Sequence, residues 1–111
     1  DLELFYSFVE FDGQFLVKQR KDDFIWKKLY EFPIGIPVEW ERFKVNHKTI
    51  THKLTHKNLT IKMSHIILQS KEDFIEFAAE HDFFIINEEE SHQKSFPKPL
   101  ENYLKDCYKT K

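Results

Sequence analysis

Asp12-Gly13, set between "LELFYSFVEF" and "QFLVKQR", constrains the fold of this chain more than any other pair of residues. Both central positions of a tight hairpin turn favour positive φ, so Asp-Gly flanked by aromatic and β-branched runs is a strong hairpin signal. It predicts two antiparallel strands, over residues 2–11 and 14–20. A lone hairpin is marginal in water, so the rest of the chain must supply a sheet for it to join.

The pattern downstream supplies that sheet. "KDDFIWKKLYEFPIGIP" (21–37) is mixed and punctuated by Pro33, Gly35 and Pro37, and reads as an irregular connection packed by its aromatics. "VEWERFKVN" (38–46) reads as a helix, with Val38, Phe43 and Val45 apolar and Pro37 suited to a first turn. "KTITHKLTHKNLTIKMSHIILQ" (48–69) has alternating apolar positions at Leu59, Ile61 and Met63, then a run at Ile66 to Leu68. It predicts two strands with a tight loop around Thr55-His56-Lys57-Asn58. Ser70 followed by Asp73 marks a capped helix with Phe74, Phe77 and Ala78 on one face. "FFII" reads as a short buried strand, "EEESHQKS" as a polar link or helical turn, and "PKPLENYLKDCYK" as a C-terminal helix. The expected order β, β, α, β, β, α, β, α makes a mixed α/β (α+β) fold, a mixed sheet flanked by helices, without repeats. At 111 residues it is one domain, 1–111. The chain begins within a strand and without Met, so it is expected to be a piece of a longer protein.

Composition removes several function classes. Cys107 is the only cysteine, so no internal disulfide, thiolate zinc site or iron–sulfur cluster can be built from this stretch. No segment approaches the apolar length of a membrane span, the first residues lack the basic stretch of a leader so none is expected, and a cytoplasmic location is expected. A net charge of −2 argues against a globally basic nucleic-acid binder, but it hides a polarity. Residues 43–65 hold five lysines, four histidines and no acid, while 72–90 hold eight acids and no lysine or arginine. Such polarity can orient a protein on a polyanion.

Within the basic stretch, "THKLTHKNL" (51–59) places His52 and His56 four apart. No carboxylate lies between or beside them and the surroundings are β-rich, so the helical zinc pattern with its glutamate base is missing. Gly13 and Gly35 are isolated, which leaves a glycine-rich phosphate loop unsupported. Lysines and histidines interleaved with Thr49, Thr51, Thr55 and Asn58 are side chains that contact phosphates, and a loop tip can reach a base edge. A solvated β-hairpin is the competing reading.

Taken with "WKKLYEFP" (26–33), this stretch resembles, in order and spacing, the two best-marked motifs in the C-terminal domain of adenine DNA glycosylases of the MutY kind. Those run roughly W-x-G-L-[WY]-x-F-P and H-x-[FL]-[ST]-H-x-x-[LW]. "INEEESHQKSFPKPLENYL" resembles the same family's acidic turn, F-P pair and closing helix. The resemblance covers essentially the whole chain. It implies a Nudix-like fold and, in place of hydrolysis, a reader. "IGIPVEWERFKVN" lacks the R-E-x-x-E-E core with which Nudix hydrolases hold magnesium, since Arg42 is followed by Phe43.

The resemblance further implies a base-excision-repair module that reads 8-oxoguanine opposite adenine in double-stranded DNA, without catalytic residues, metal or cofactor of its own. Its expected partner is an N-terminal catalytic domain of the same chain carrying a 4Fe–4S cluster; a monomer associated with the nucleoid is expected. The reading loop matches Leu54, Thr55 and His56, flanked by His52, Lys53, Lys57 and Asn58. Oxidation at C8 puts a hydrogen on N7 of guanine, turning an acceptor into a donor, and a hydroxyl such as that of Thr55 can accept it. Leu54 and His56 would shape the loop beside the nucleotide, with Lys53 and Lys57 attracting phosphates. Leu54 stands where the family often has Phe, and Lys27 and Lys28 where small glycines are common. Trp26, Leu29, Tyr30 and Phe32 are expected to be core. The alternatives are a divergent Nudix hydrolase acting on oxidised nucleotides, and a protein-interaction module using the acidic 72–90 region.

Overall fold

The computed structural model describes residues 1–21 and 25–109. Residues 22–24, part of the expected irregular connection, lie outside the described residues.

The hairpin forms where Asp12-Gly13 places it. β1 (Leu2–Phe11) and β2 (Gln14–Gln19) pair antiparallel, with φ of 51° at Asp12 and 78° at Gly13. The two strands pair only near the turn, Glu10 opposite Phe15 and Phe11 opposite Gln14. Beyond it the 30–33 segment fills the gap between them. β3 (Tyr30–Glu31) pairs with Lys18 and Gln19 of β2, while the Ser7 N–H donates to the Pro33 carbonyl at 2.8 Å. The stretch read as wholly irregular thus contributes a short strand.

Filling that gap buries a charge network. Glu31 Oε1 accepts hydrogen bonds from the Tyr6 hydroxyl at 2.7 Å and from Arg20 Nη1 at 2.6 Å. Burial first, then the Glu31 carboxylate, pushes the Tyr6 hydroxyl pKa far above its usual value, so this phenol stays a donor. Arg20 Nε also donates to the Ile25 carbonyl at 3.1 Å, tethering the approach to Trp26.

A second correction concerns 38–46. Val38–Phe43 is a six-residue 3-10 helix, and Lys44, Val45 and Asn46 already belong to β4 (Lys44–Lys53). Only Trp40 of the 3-10 helix is buried, whereas Val38 is 81% exposed. Ladder pairing with β5 (Asn58–Ile67) claims the residues a longer helix would have needed. The apolar spacing of Val38, Phe43 and Val45 is thereby not a core stripe.

β5 runs parallel to β1, Leu2 opposite Leu59 through Glu10 opposite Ile67, and antiparallel to β4. The path is β3-β2-β1-β5-β4, with β6 (Phe84–Asn87) pairing β2, giving a six-stranded mixed sheet with β4 at one edge. α1 (Lys71–Glu80) is capped by the Ser70 hydroxyl accepting from the Asp73 N–H. α2 (Glu88–Ser91) is one turn opened by a capping box between Asn87 and Glu90, and α3 (Lys98–Cys107) follows Pro97.

The helices cover opposite faces of the sheet. On one face Tyr6, Phe8, Leu59, Ile61 and Met63 pack with Leu100, Tyr103 and Leu104 of α3. On the other, Val9, Leu16 and Ile66 pack under Trp40 and under Phe74, Phe77 and Ala78 of α1. Phe32 is fully buried as expected; Trp26 and Tyr30 are only half-buried at the margin of the first core. Among the described residues no helix is long and apolar enough to cross a membrane.

Candidate functional site

The β4–β5 hairpin carries the residues singled out in the sequence. Lys53 opposes Asn58 as the last register pair, and beyond it the Leu54 N–H donates to the Lys57 carbonyl at 2.8 Å. Thr55 and His56 form the tip. Neither has a positive φ, so the turn is not of the primed type whose twist matches the strands.

Side chains at this end alternate between two environments. His52 and Leu54 point to the α3 side, where both are half-buried and Leu54 packs against the first core. Lys53, Thr55, His56, Lys57 and Asn58 are exposed. The Thr55 hydroxyl makes no hydrogen bond among the described residues, so both its donor and its acceptor face solvent.

The two sequence motifs meet here. The rings of Trp26 and His52 lie 6.2 Å apart at 55°, and Trp26 and Leu54 pack at the margin of one core. Trp26, expected in the core, is half-buried at the margin of the first core and forms the wall against which the hairpin leans. His52, held against Trp26, is thereby separated in role from His56 at the exposed tip.

The turn that presents Trp26 is held by the backbone. The Lys28 N–H donates to the Arg20 carbonyl at 3.0 Å, and the Leu29 N–H to the Trp26 carbonyl at 3.0 Å. Gln19 Nε2 donates to the Lys28 carbonyl at 2.8 Å. Within this turn Trp26 and Lys28 have φ of 55° and 72°, a region that favours glycine. Sequence spacing alone carries no sign of that conformation.

Tertiary contacts also subdivide the basic stretch. Lys44 pairs with Glu41 at 2.9 Å and Lys48 with Asp106 of α3 at 3.3 Å. His65 is drawn inward, its Nε2 lying 2.8 Å from Glu10 Oε1. Lys44 and Lys48 stay exposed but lie along β4 away from the turn, and His65 is half-buried. Lys53 and Lys57 are exposed beside the tip, and Lys62 lies half-buried on the sheet.

Glu39 and Glu41 sit on the six-residue 3-10 helix, where side chains three apart eclipse rather than forming the broad face of an α-helix. Among the described residues no three His, Cys, Asp or Glu side chains are grouped so as to hold a metal ion.

No curated protein is significantly similar to this sequence. The family model described as NUDIX domain matches residues 5–106, which spans the hairpin, both helix-covered faces of the sheet and the exposed turn. The chain therefore belongs to the NUDIX domain family.

Proposed function

We propose that this NUDIX domain is the lesion-reading module of an adenine DNA glycosylase of the MutY kind, presenting its 54–58 turn to 8-oxoguanine opposite adenine in duplex DNA. The observation that carries the reading is the meeting of Trp26 with His52 at 6.2 Å, which joins the two motifs into one structure with Thr55 and His56 at its outer end. In this reading Leu54 and His52 anchor the turn and the Thr55 hydroxyl accepts the hydrogen that oxidation places on N7. His56 packs beside the nucleotide, Asn58 contacts the backbone, and Lys53 and Lys57 attract phosphates. Adenine removal itself would fall to an N-terminal catalytic domain with its 4Fe–4S cluster in the same polypeptide, since Cys107 alone could not ligate one. The short 3-10 helix where a hydrolase carries its carboxylate helix supports a reader over a catalyst.

The test is Thr55→Ala in the full-length protein. It should narrow discrimination between 8-oxoguanine:adenine and guanine:adenine duplexes by about 1–2 kcal/mol, the scale of one directional hydrogen bond. Equal discrimination by variant and parent removes Thr55 from the lesion contact. Magnesium-dependent release of phosphate or pyrophosphate from an oxidised nucleotide would replace the reading with that of a divergent Nudix hydrolase.

A further inference from the structure

The sheet is not covered evenly. On the α1 side, Val9 and Ile66 lie under α1 and Trp40, but that cover stops before the end of the sheet nearest the turn. Register partners share a face, so the next rows can be read directly. Ser7, Ser64 and His47 form one row, and the Ser64 Oγ lies 3.5 Å from His47 Nδ1. Phe5, Lys62 and Thr49 form the next, then Glu3, Thr60 and Thr51, and the face ends at Lys53 beside the turn.

We propose that this uncovered face binds a single nucleic-acid strand, with one base stacked on Phe5 and the phosphates held along β4 and β5. Phe5 is 58% exposed, a large ring flanked on the sheet by hydroxyls and Lys62 and bordered on its other side by Ile36, Pro37 and Val38. Its row places Lys62 directly beside the ring, while Thr49, Thr51 and His47 are exposed beyond it. An aromatic platform with flanking cations and hydroxyls is the chemistry of single-strand recognition: stacking accepts any base and the polar groups follow the backbone. Between Phe5, His47 and the Gly35–Val38 segment lies a groove of ≈ 310 Å³, at the small end of ligand pockets.

The charge on this face fits a polyanion. Glu41, which lines the groove, is paired with Lys44 at 2.9 Å, and Glu3 sits at the β1 margin opposite Thr60. Lys53, Lys62 and His47 face the side the strand would occupy. A duplex would satisfy the cations, but its bases are already stacked on each other and offer Phe5 no free face. An unpaired strand satisfies both. This inference goes beyond lesion reading and does not use Thr55.

The experiment titrates the intact chain with a labelled single-stranded oligothymidylate and with a duplex of equal length. The single strand is expected to bind more tightly. Phe5→Ala should weaken it by about tenfold or more, the scale of one base–aromatic stack, and Phe5→Trp should restore it. Lys62→Gln should reduce the slope of log K against log salt by about 0.7, one phosphate on a single strand. Unchanged single-strand affinity in Phe5→Ala overturns the proposal. Thr55→Ala run in parallel separates the two readings. Lost lesion discrimination with a neutral Phe5→Ala leaves the turn and rejects the face; weakened single-strand binding in Phe5→Ala with a neutral Thr55→Ala does the reverse.

Discussion

Lys28 holds a conformation its side chain disfavours. At φ of 72° a Cβ crowds the backbone at a cost of roughly 1–2 kcal/mol, yet the Lys28 N–H and carbonyl are both engaged, by the Arg20 carbonyl and by Gln19 Nε2. Lys28→Gly should remove that cost while adding unfolded-state entropy, for a net gain of about 0.5–1 kcal/mol in urea unfolding. A lower midpoint would mean that the lysine side chain contributes more than the strain costs. Lys28 stands where the resemblance expects a small residue, and its positive φ is a physical ground for one that no side-chain pattern displays. Trp26, read as core, shows the same limit. Its apolar character was legible, but its place at the margin, against His52, follows from a turn whose geometry is set by contacts with β2.

At the scale of elements, local signals succeeded where they were chemically specific. Asp12-Gly13 located the hairpin, and Ser70 with Asp73 located the start of α1. Asn87 acts in the same way. Its side chain accepts from the Glu90 N–H at 2.8 Å while Glu90 Oε1 accepts from the Asn87 N–H at 2.9 Å, so β6 ends and α2 begins at one residue. Asn87→Ala should cost about 1 kcal/mol, read as a lower thermal midpoint, because the exposed turn of α2 has little else to start it. A midpoint equal to the parent's would show that packing of Ser91 alone holds the turn. Residues 38–46 failed for the complementary reason. Apolar spacing is a weak signal over nine residues, and hydrogen bonding to β5 overrode it from Lys44 onward.

The whole molecule is joined at Glu10. Its carboxylate, on β1, receives His65 of β5 at 2.8 Å and the Tyr108 hydroxyl, just beyond α3, at 3.0 Å. The hydrogen bond from His65 holds the Glu10 carboxyl below the usual glutamate range; burial opposes this and Tyr108 reinforces it. A carboxyl whose folded pKa is lowered contributes stability that is complete above its unfolded pKa and is lost as the pH falls through the folded one. Unfolding of the parent should therefore become easier on acidification through and below the ordinary glutamate range. Glu10→Gln should be less stable at neutral pH by about 1–2 kcal/mol, with a flatter acid limb. Parallel acid limbs for the two proteins would place the titration elsewhere. Of this architecture, the sequence by itself determined the hairpin, the capped α1, the 51–59 turn and the mixed class of fold, because turn chemistry, capping and strand alternation act between near neighbours. Only the tertiary structure decided that Tyr30–Glu31 would enter the sheet, that Lys44 and Lys48 would pair with Glu41 and Asp106 and His65 turn inward to Glu10, and that Phe5 would stay uncovered. Those outcomes depend on partners distant in sequence, and the free energy of a strand pair, an ion pair or a covered face exists only once both sides have been brought together.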